Sequence, residues 1–447
     1  MEKSNTPLWH PFTQMSDFHA ESPAPPNIVG AEGNWLIADD GQRYLDANSG
    51  YWCLALGCRP EAVEKAIAAQ LGKFSHSTLL GLSHQPAQDL AARLAALAGP
   101  PLEHVFFADS GSEAVEVALK MAYQFQVQRG HPERAEFLAL GAAYHGDTLG
   151  AVSVGGIDLF HATFKPLLFP VHRVPPPHCY RCPWKKDPQS CELECAQAME
   201  QAIAEKYATL AAVIIEPLVL GPGGVIPQPP KYLERVAAAA RAHHVPLIFD
   251  EVAVGMGRLG SVFAFEQIGI KPDIVCLAKG LTAGLLPLSA VIASNEIYAA
   301  FLGAYSERKT FFHGHTFTGS ALGCAAALAA LDIIAAPVFL KTLNATTIPA
   351  FWHILEPLQT HPHVGNVRGN GMMAGIELIA DRKTGAEYPW QERHGHRVVL
   401  AARKRGVNTR SIGNLVLAVP PLTITAEEIE LLGRVLHESV DEVTGGG

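Results

Sequence analysis

The sequence predicts an α/β protein with a large domain, whose mostly parallel sheet is covered by helices, and a smaller α+β domain assembled from both ends of the chain. Three observations support this. Short continuous apolar runs alternate with helical patterns, as strands buried on both faces do. Several of those runs stop at a residue with a chemical handle, namely Ser110, Asp250 and Lys279. The two ends of the chain lack this alternation and read as a meander and a mixed stretch.

The elements follow in order. Residues 34–46 alternate apolar and polar positions about Asp40-Gly41, a hairpin pattern. Residues 60–74 place Val63, Ile67 and Leu71 on one helical face. The run 105–107 ends at Ala108-Asp109-Ser110-Gly111-Ser112 and passes directly into a helical pattern over 113–128. Strands are expected at 136–140, 211–215, 246–249 and 274–277, with a helix at 232–243. Helical patterns return over 320–334 and 340–358. A final α+β stretch spans 367–440, with strands near 372–378 and 415–418. The expected division is residues 1–66 and 337–447 for the small domain and 67–336 for the large one.

A chain of 447 residues with 48% hydrophobic and 17% charged residues can bury a large core. The formal net charge is −9, with no basic run, which argues against a nucleic-acid partner. No apolar run reaches membrane-spanning length and the first residues lack an apolar signal core, so a cytoplasmic protein is expected. Four of the eight cysteines, Cys179, Cys182, Cys191 and Cys195, cluster at a spacing that structural zinc sites use. A reduced, metal-free loop is the reading adopted here, so no metal is expected.

Three positions carry the chemistry. Ser110-Gly111-Ser112 opens a helix, where N–H groups and the helix dipole attract an anion such as a phosphate; an ordinary serine cap gives the same pattern. The spacing is neither a Walker A nor a GxGxxG. Asp250 ends a buried strand and needs a cation or donor, for which a protonated pyridine nitrogen is suitable. Lys279 follows an apolar strand, where desolvation favours the free amine that attacks carbonyls. Strand carboxyl ends are where such sheets bind ligands.

The ordered set Ser110-Gly111-Ser112-Glu113, Tyr144-His145-Gly146-Asp147-Thr148, Glu216-Pro217, Asp250-Glu251-Val252, Gly255-Met256-Gly257-Arg258, Lys279-Gly280 and His315-Thr316-Phe317 resembles the class III aminotransferases of the pyridoxal-phosphate (PLP) fold type I superfamily. The likeness runs from Trp9 to about Pro421 and implies a seven-stranded central sheet. It also implies that Lys279 bonds to PLP and shuttles a proton, and that Asp250 faces the ring nitrogen. Val252, Tyr144 and His145 would pack on the ring. Ser110, Gly111 and Ser112 would hold the phosphate, and Glu216 would order the ring-oxygen side. Thr316 would reach the phosphate of a neighbouring subunit, implying a homodimer or a tetramer built from it.

Within the family the chain is most similar to the branch that aminates 8-amino-7-oxononanoate on the way to biotin, using lysine or S-adenosylmethionine as donor. Phe12, Tyr51, Trp52, the Tyr144…Asp147 pair, Arg258 and Arg410 are the substrate-side candidates. His76-Ser77-Thr78-Leu79-Leu80-Gly81 and Phe311-Phe312-His313-Gly314-His315 look more like the lysine-using members. Arg410 can clamp a substrate carboxylate or form an internal salt bridge, Arg258 can instead pin its glycine-rich turn, and Tyr51 and Trp52 can be core aromatics. Phe12, Tyr51, Val254, Leu259 and Leu285 depart from the common pattern, which leaves an ω-amino acid or amine:pyruvate transaminase as the alternative.

Overall fold

The computed structural model describes residues 7–21 and 24–445. Its centre is a seven-stranded sheet in the order Leu102–Ala108, Ser289–Ser294, Ile274–Leu277, Leu247–Asp250, Leu210–Ile215, Glu136–Leu140 and His172–Val174. Only Ser289–Ser294 runs antiparallel to its neighbours. Alternate residues feed two apolar layers. Ile274 and Cys276 face the helix Gly111–Gln128 with Ala114, Val115 and Ala118, while Val275 and Leu277 pack on the opposite side with Phe249 and Leu331. A strand buried on both faces needs apolar residues throughout, which is why these runs are continuous.

The helix Gly111–Gln128 starts where it does because Ser110 and Glu113 form a reciprocal capping box. Leu138, Leu140, Val213 and Ile215 are fully buried beneath the helices that connect the strands.

The two ends of the chain meet. Strands Ile28–Glu32, Trp35–Ala38 and Arg43–Asp46 form a meander, and Val407–Asn408 completes that sheet by parallel pairing with Arg43–Asp46. A second sheet orders Val364–Asn370, Met373–Leu378, Leu415–Ala418 and Ser411–Ile412. The last helix, Ala426–Thr444, is capped by Thr425 and Glu428. The Glu428 carboxylate also accepts from Asn34 Nδ2 at 2.7 Å and Trp35 Nε1 at 2.6 Å.

One expected element is different in kind. The single helix anticipated over 340–358 is a series of short turns: Pro337–Thr342, a π-turn at Leu343–Thr347, Ile348–His353 and a 3₁₀ turn at Glu356–Thr360. Pro349 has no N–H to aim at Ala345, and Pro357 interrupts the next turn. Asn344 bridges the widened turn, its amide donating to Gly260 O at 2.7 Å and Leu340 O at 2.8 Å. Among the described residues no single helix is long and apolar enough to cross a membrane.

Candidate active site

Parallel pairing sets Asp250 opposite Cys276, so Asp250 and the Lys279 turn leave the sheet at the same edge. The turn after Leu102–Ala108 opens there too. Between them lies a cavity of about 420 Å3, whose wall includes Tyr51, Ser110, Gly111, Ser112, Tyr144, His145, Glu216, Asp250, Val252 and Lys279. Residues separated by more than two hundred positions therefore share one space.

Lys279 begins a short 3₁₀ turn with φ of 43°, a left-handed backbone that aims its side chain off the sheet edge. Its Nζ lies 5.0 Å from the Trp52 ring centroid and has no hydrogen bond among the described residues. Burial pulls its pKa below the usual lysine range, while Asp250 and Glu216 oppose that shift. The result favours a neutral amine, the form able to attack a carbonyl.

Asp250 is buried. One of its oxygens meets His145 Nδ1 at 2.7 Å, and the other accepts from Val252 N–H at 3.0 Å. His145 Nε2 is buried with no partner among the described residues. Glu216 lies deeper, accepting from Tyr144 N–H and Gly221 N–H, each at 2.9 Å. Burial raises the Glu216 carboxyl to about 7, with Asp250 adding to the rise and His145 and the two N–H groups opposing it.

At the other end, the Ser110 N–H and the Asp109 N–H both donate to Glu113, each at 2.9 Å, so Ser110 can offer only its hydroxyl to an anion. The N–H groups of Gly111 and Ser112 occupy the first helical positions, which have no intrahelical acceptor. Side chains are excluded around them. A Cβ on Gly111 would stand 2.7 Å from Val252 Cγ1, and one on Gly146, at φ 122°, would stand 2.1 Å from Ser112 Oγ. That hydroxyl accepts from Asp147 N–H at 3.1 Å. Two free N–H groups at a helix start, a buried carboxylate and a desolvated amine on one cavity fit the phosphate, ring nitrogen and aldehyde of PLP. Thr316 is exposed and lies outside this chain's own cavity wall.

The substrate-side candidates divide. Arg410 lies with its guanidinium carbon 4.7 Å from the Tyr51 ring and 5.8 Å from the Phe12 ring. It forms no ion pair among the described residues, so the internal salt bridge is not its arrangement. Tyr51 is 41% exposed, whereas Trp52 is 5% exposed and donates from Nε1 to Asn48 Oδ1 at 3.2 Å. Tyr144 Oη donates to Asp147 at 2.7 Å.

Arg258 is a correction. It is buried away from the cavity wall and donates to Pro420 O at 2.6 Å and Met372 O at 3.2 Å, with Ser49 Oγ at 3.5 Å. Burial lowers it to about 10. It pins loops and is not available to substrate. Val254 and Leu259 are likewise core residues, while Leu285 does line the cavity.

The sequence reading missed Asp46, which is wholly buried and holds the Ser49–Trp52 turn by accepting from Gly50 N–H at 2.5 Å and Asn48 N–H at 3.2 Å. It also missed Glu251, which accepts from Ala264 N–H at 2.6 Å and Phe265 N–H at 2.9 Å. Its adjacency to Asp250 was the available signal.

Comparison with known proteins agrees with this geometry. The family model described as aminotransferase class-III matches residues 18–440. A Geobacter sulfurreducens protein named adenosylmethionine-8-amino-7-oxononanoate aminotransferase is 49% identical over 441 residues, covering 98% of this chain and 96% of the relative. The solved structure of a protein of the same name from Methanocaldococcus jannaschii superposes with a TM-score of 0.91 at 41% identity, covering 97% of both chains. A PLP-bound amine transaminase from an uncultivated Pseudomonas species gives 0.92 at 36% identity, covering 99% of this chain and 100% of that one.

Proposed function

Because the chain belongs to the class-III aminotransferases, we propose that it uses PLP to transfer an amino group to 8-amino-7-oxononanoate, giving 7,8-diaminononanoate in biotin formation. S-adenosylmethionine is the favoured donor, since it stands in the names of relatives at 42–49% identity. Those names do not support the lean toward lysine read from residues 76–81 and 311–315, so lysine is retained as the second donor to test.

When bound, PLP supplies an electrophilic carbonyl and a ring that takes up electrons from the substrate Cα. The chain's residues do the rest. Lys279 holds the cofactor covalently and carries a proton between substrate Cα and cofactor C4′. Asp250, braced by His145, keeps the ring nitrogen protonated. Gly111 and Ser112 N–H groups bind the phosphate, and Val252 and His145 flank the ring. Glu216 fixes Tyr144, whose hydroxyl and Asp147 shape the substrate side.

The observation that carries the substrate reading is Arg410, a cation with no acidic partner, set against Tyr51 on the wall of the Lys279 cavity. It suits the distant carboxylate of a long acceptor. An amine transaminase is the second reading, favoured by the close superposition on the Pseudomonas enzyme.

A cytoplasmic homodimer completes the proposal, with Thr316 reaching the phosphate held by its neighbour. Exposed Phe312 and Phe317 beside Thr316, and Leu80 at 90% exposure, support a covered surface there. The test is a matrix of donors and acceptors with purified protein. Amination of 8-amino-7-oxononanoate by S-adenosylmethionine or lysine is expected, and turnover with pyruvate alone would remove the reading.

A further inference from the structure

Residues 175–193 cross the surface without a strand or helix, held locally by short-range turns such as Lys185 N–H to Cys182 O at 3.0 Å and Cys191 N–H to Asp187 O at 2.9 Å. A segment of that length without regular structure needs another source of order. Four of the chain's eight cysteines fall in or just beyond it, spaced as CxxC and CxxxC, and all are free thiols. Cys179, Cys182, Cys191 and Cys195 together line one cavity of about 30 Å3, closed by the apolar faces of Trp184, Leu193 and Pro229. The space suits a single ion. Burial and the neighbouring thiols raise Cys179, and burial pushes Cys195 up to about 11, with Cys179 and Cys191 adding to it. Four such thiols can ionise together only around a cation.

We infer that Cys179, Cys182, Cys191 and Cys195 form a structural site for a single zinc-class divalent ion, distinct from the Lys279 cavity. Four thiolates from two short-spaced pairs are the donor set of closed, non-catalytic zinc sites. No three of the sulfurs lie within 4.8 Å of one another among the described residues. Binding therefore draws the loop inward, a movement its local turns permit. The group whose donors do lie that close, Asp109, Glu113 and His315, is a separate cluster beside the phosphate turn.

The loop has something to hold. Arg181, between Cys179 and Cys182, pairs with Glu377 on the strand Met373–Leu378, and Arg368 pairs with the same carboxylate. Arg368 Nε donates to Gly224 O at 2.8 Å, and Gly221 in that same turn donates to Glu216. An ordered cysteine loop thus braces the back of the cofactor pocket through Arg181, Glu377 and Arg368.

The experiment measures metal in holoenzyme purified under reducing conditions, before and after exposure to zinc. About one zinc per chain is expected, lost in a Cys182→Ser/Cys191→Ser variant and kept in a Cys58→Ser control. Cobalt substitution of the wild-type protein gives a readout that does not depend on the variant folding. Thiolate-to-cobalt charge-transfer and tetrahedral ligand-field bands are expected. Zinc below a tenth of an equivalent, absent cobalt–thiolate bands, or metal retained by the double variant would each overturn the proposal. Removing zinc from wild type with a chelator is expected to lower Tm while PLP stays bound.

Discussion

His145 and Asp250 form a buried pair, with Nδ1 2.7 Å from Oδ2 and both side chains almost wholly out of solvent. The second Asp250 oxygen receives Val252 N–H. The carboxylate is thus oriented from two sides toward the cavity that Lys279 shares, and an imidazole whose other nitrogen lacks a partner sits on the same wall. An acid placed this way can face a ring nitrogen without turning away.

Lys279→Ala removes the amine that bonds to the cofactor and moves the proton. Turnover is expected to fall by at least about 10²–10⁴-fold, the usual worth of a positioned acid–base group. Borohydride reduction followed by peptide mass analysis should mark residue 279 in wild type and nothing in the variant. A variant with near-normal turnover would contradict the role.

Arg410→Ala leaves the cofactor pocket untouched and removes the unpaired cation beside Tyr51. For carboxylate-bearing substrates kcat/KM should fall by an amount equivalent to about 2–5 kcal/mol, the loss when one partner of a buried charge pair is removed. Neutral amines should be little affected. Equal losses for both classes would point to a folding defect.

Gly146→Ala tests the phosphate turn. The backbone there has φ of 122°, and the added carbon would meet Ser112 Oγ at 2.1 Å. Strain of about 1–3 kcal/mol is expected, read as weaker PLP retention on dialysis. Unchanged cofactor affinity would show that this close approach does not shape the site.

Glu251→Gln tests a buried acid outside the cavity wall. Burial raises the Glu251 carboxyl from its ordinary 4.5 to about 8, with N–H groups of Ala264 and Phe265 opposing the rise. The folded protein holds this proton where the unfolded chain releases it. The contribution is therefore full below pH 4.5 and is lost as pH rises through about 8, each pKa unit being worth about 1.4 kcal/mol. Urea midpoints measured across that window should decline less steeply in the variant. An identical profile would mean the acid does not titrate in this range.

What the sequence revealed follows from how locally each feature is encoded. The strands Glu136–Leu140 and Ile274–Leu277 could be read because every residue inside a two-faced strand must be apolar or small. His172–Val174, a short edge strand, and Ser289–Ser294, rich in serine and alanine, gave no such run. Lys279, Asp250 and the serine turn were visible because each lies at the end of an element. Arg258 and Arg410 look alike in sequence. Their difference depends on where the carbonyls of Met372 and Pro420 come to lie, and on the absence of any acid beside Arg410. Tyr51 and Trp52 are adjacent yet differently exposed because Gly50, at φ 65°, and the Asp46 contacts distort the turn between them.

The parallel pairing of Arg43–Asp46 with Val407–Asn408 also sets the order of assembly during synthesis. The N-terminal meander waits for its fourth strand until the ribosome has passed residue 408. Asp46, which steadies the aromatic turn next to it, then gains Asn408 as a neighbour. The central sheet, whose strands end at Ser294, can collapse earlier, so the wall that meets substrate is among the last parts of the newborn chain to set.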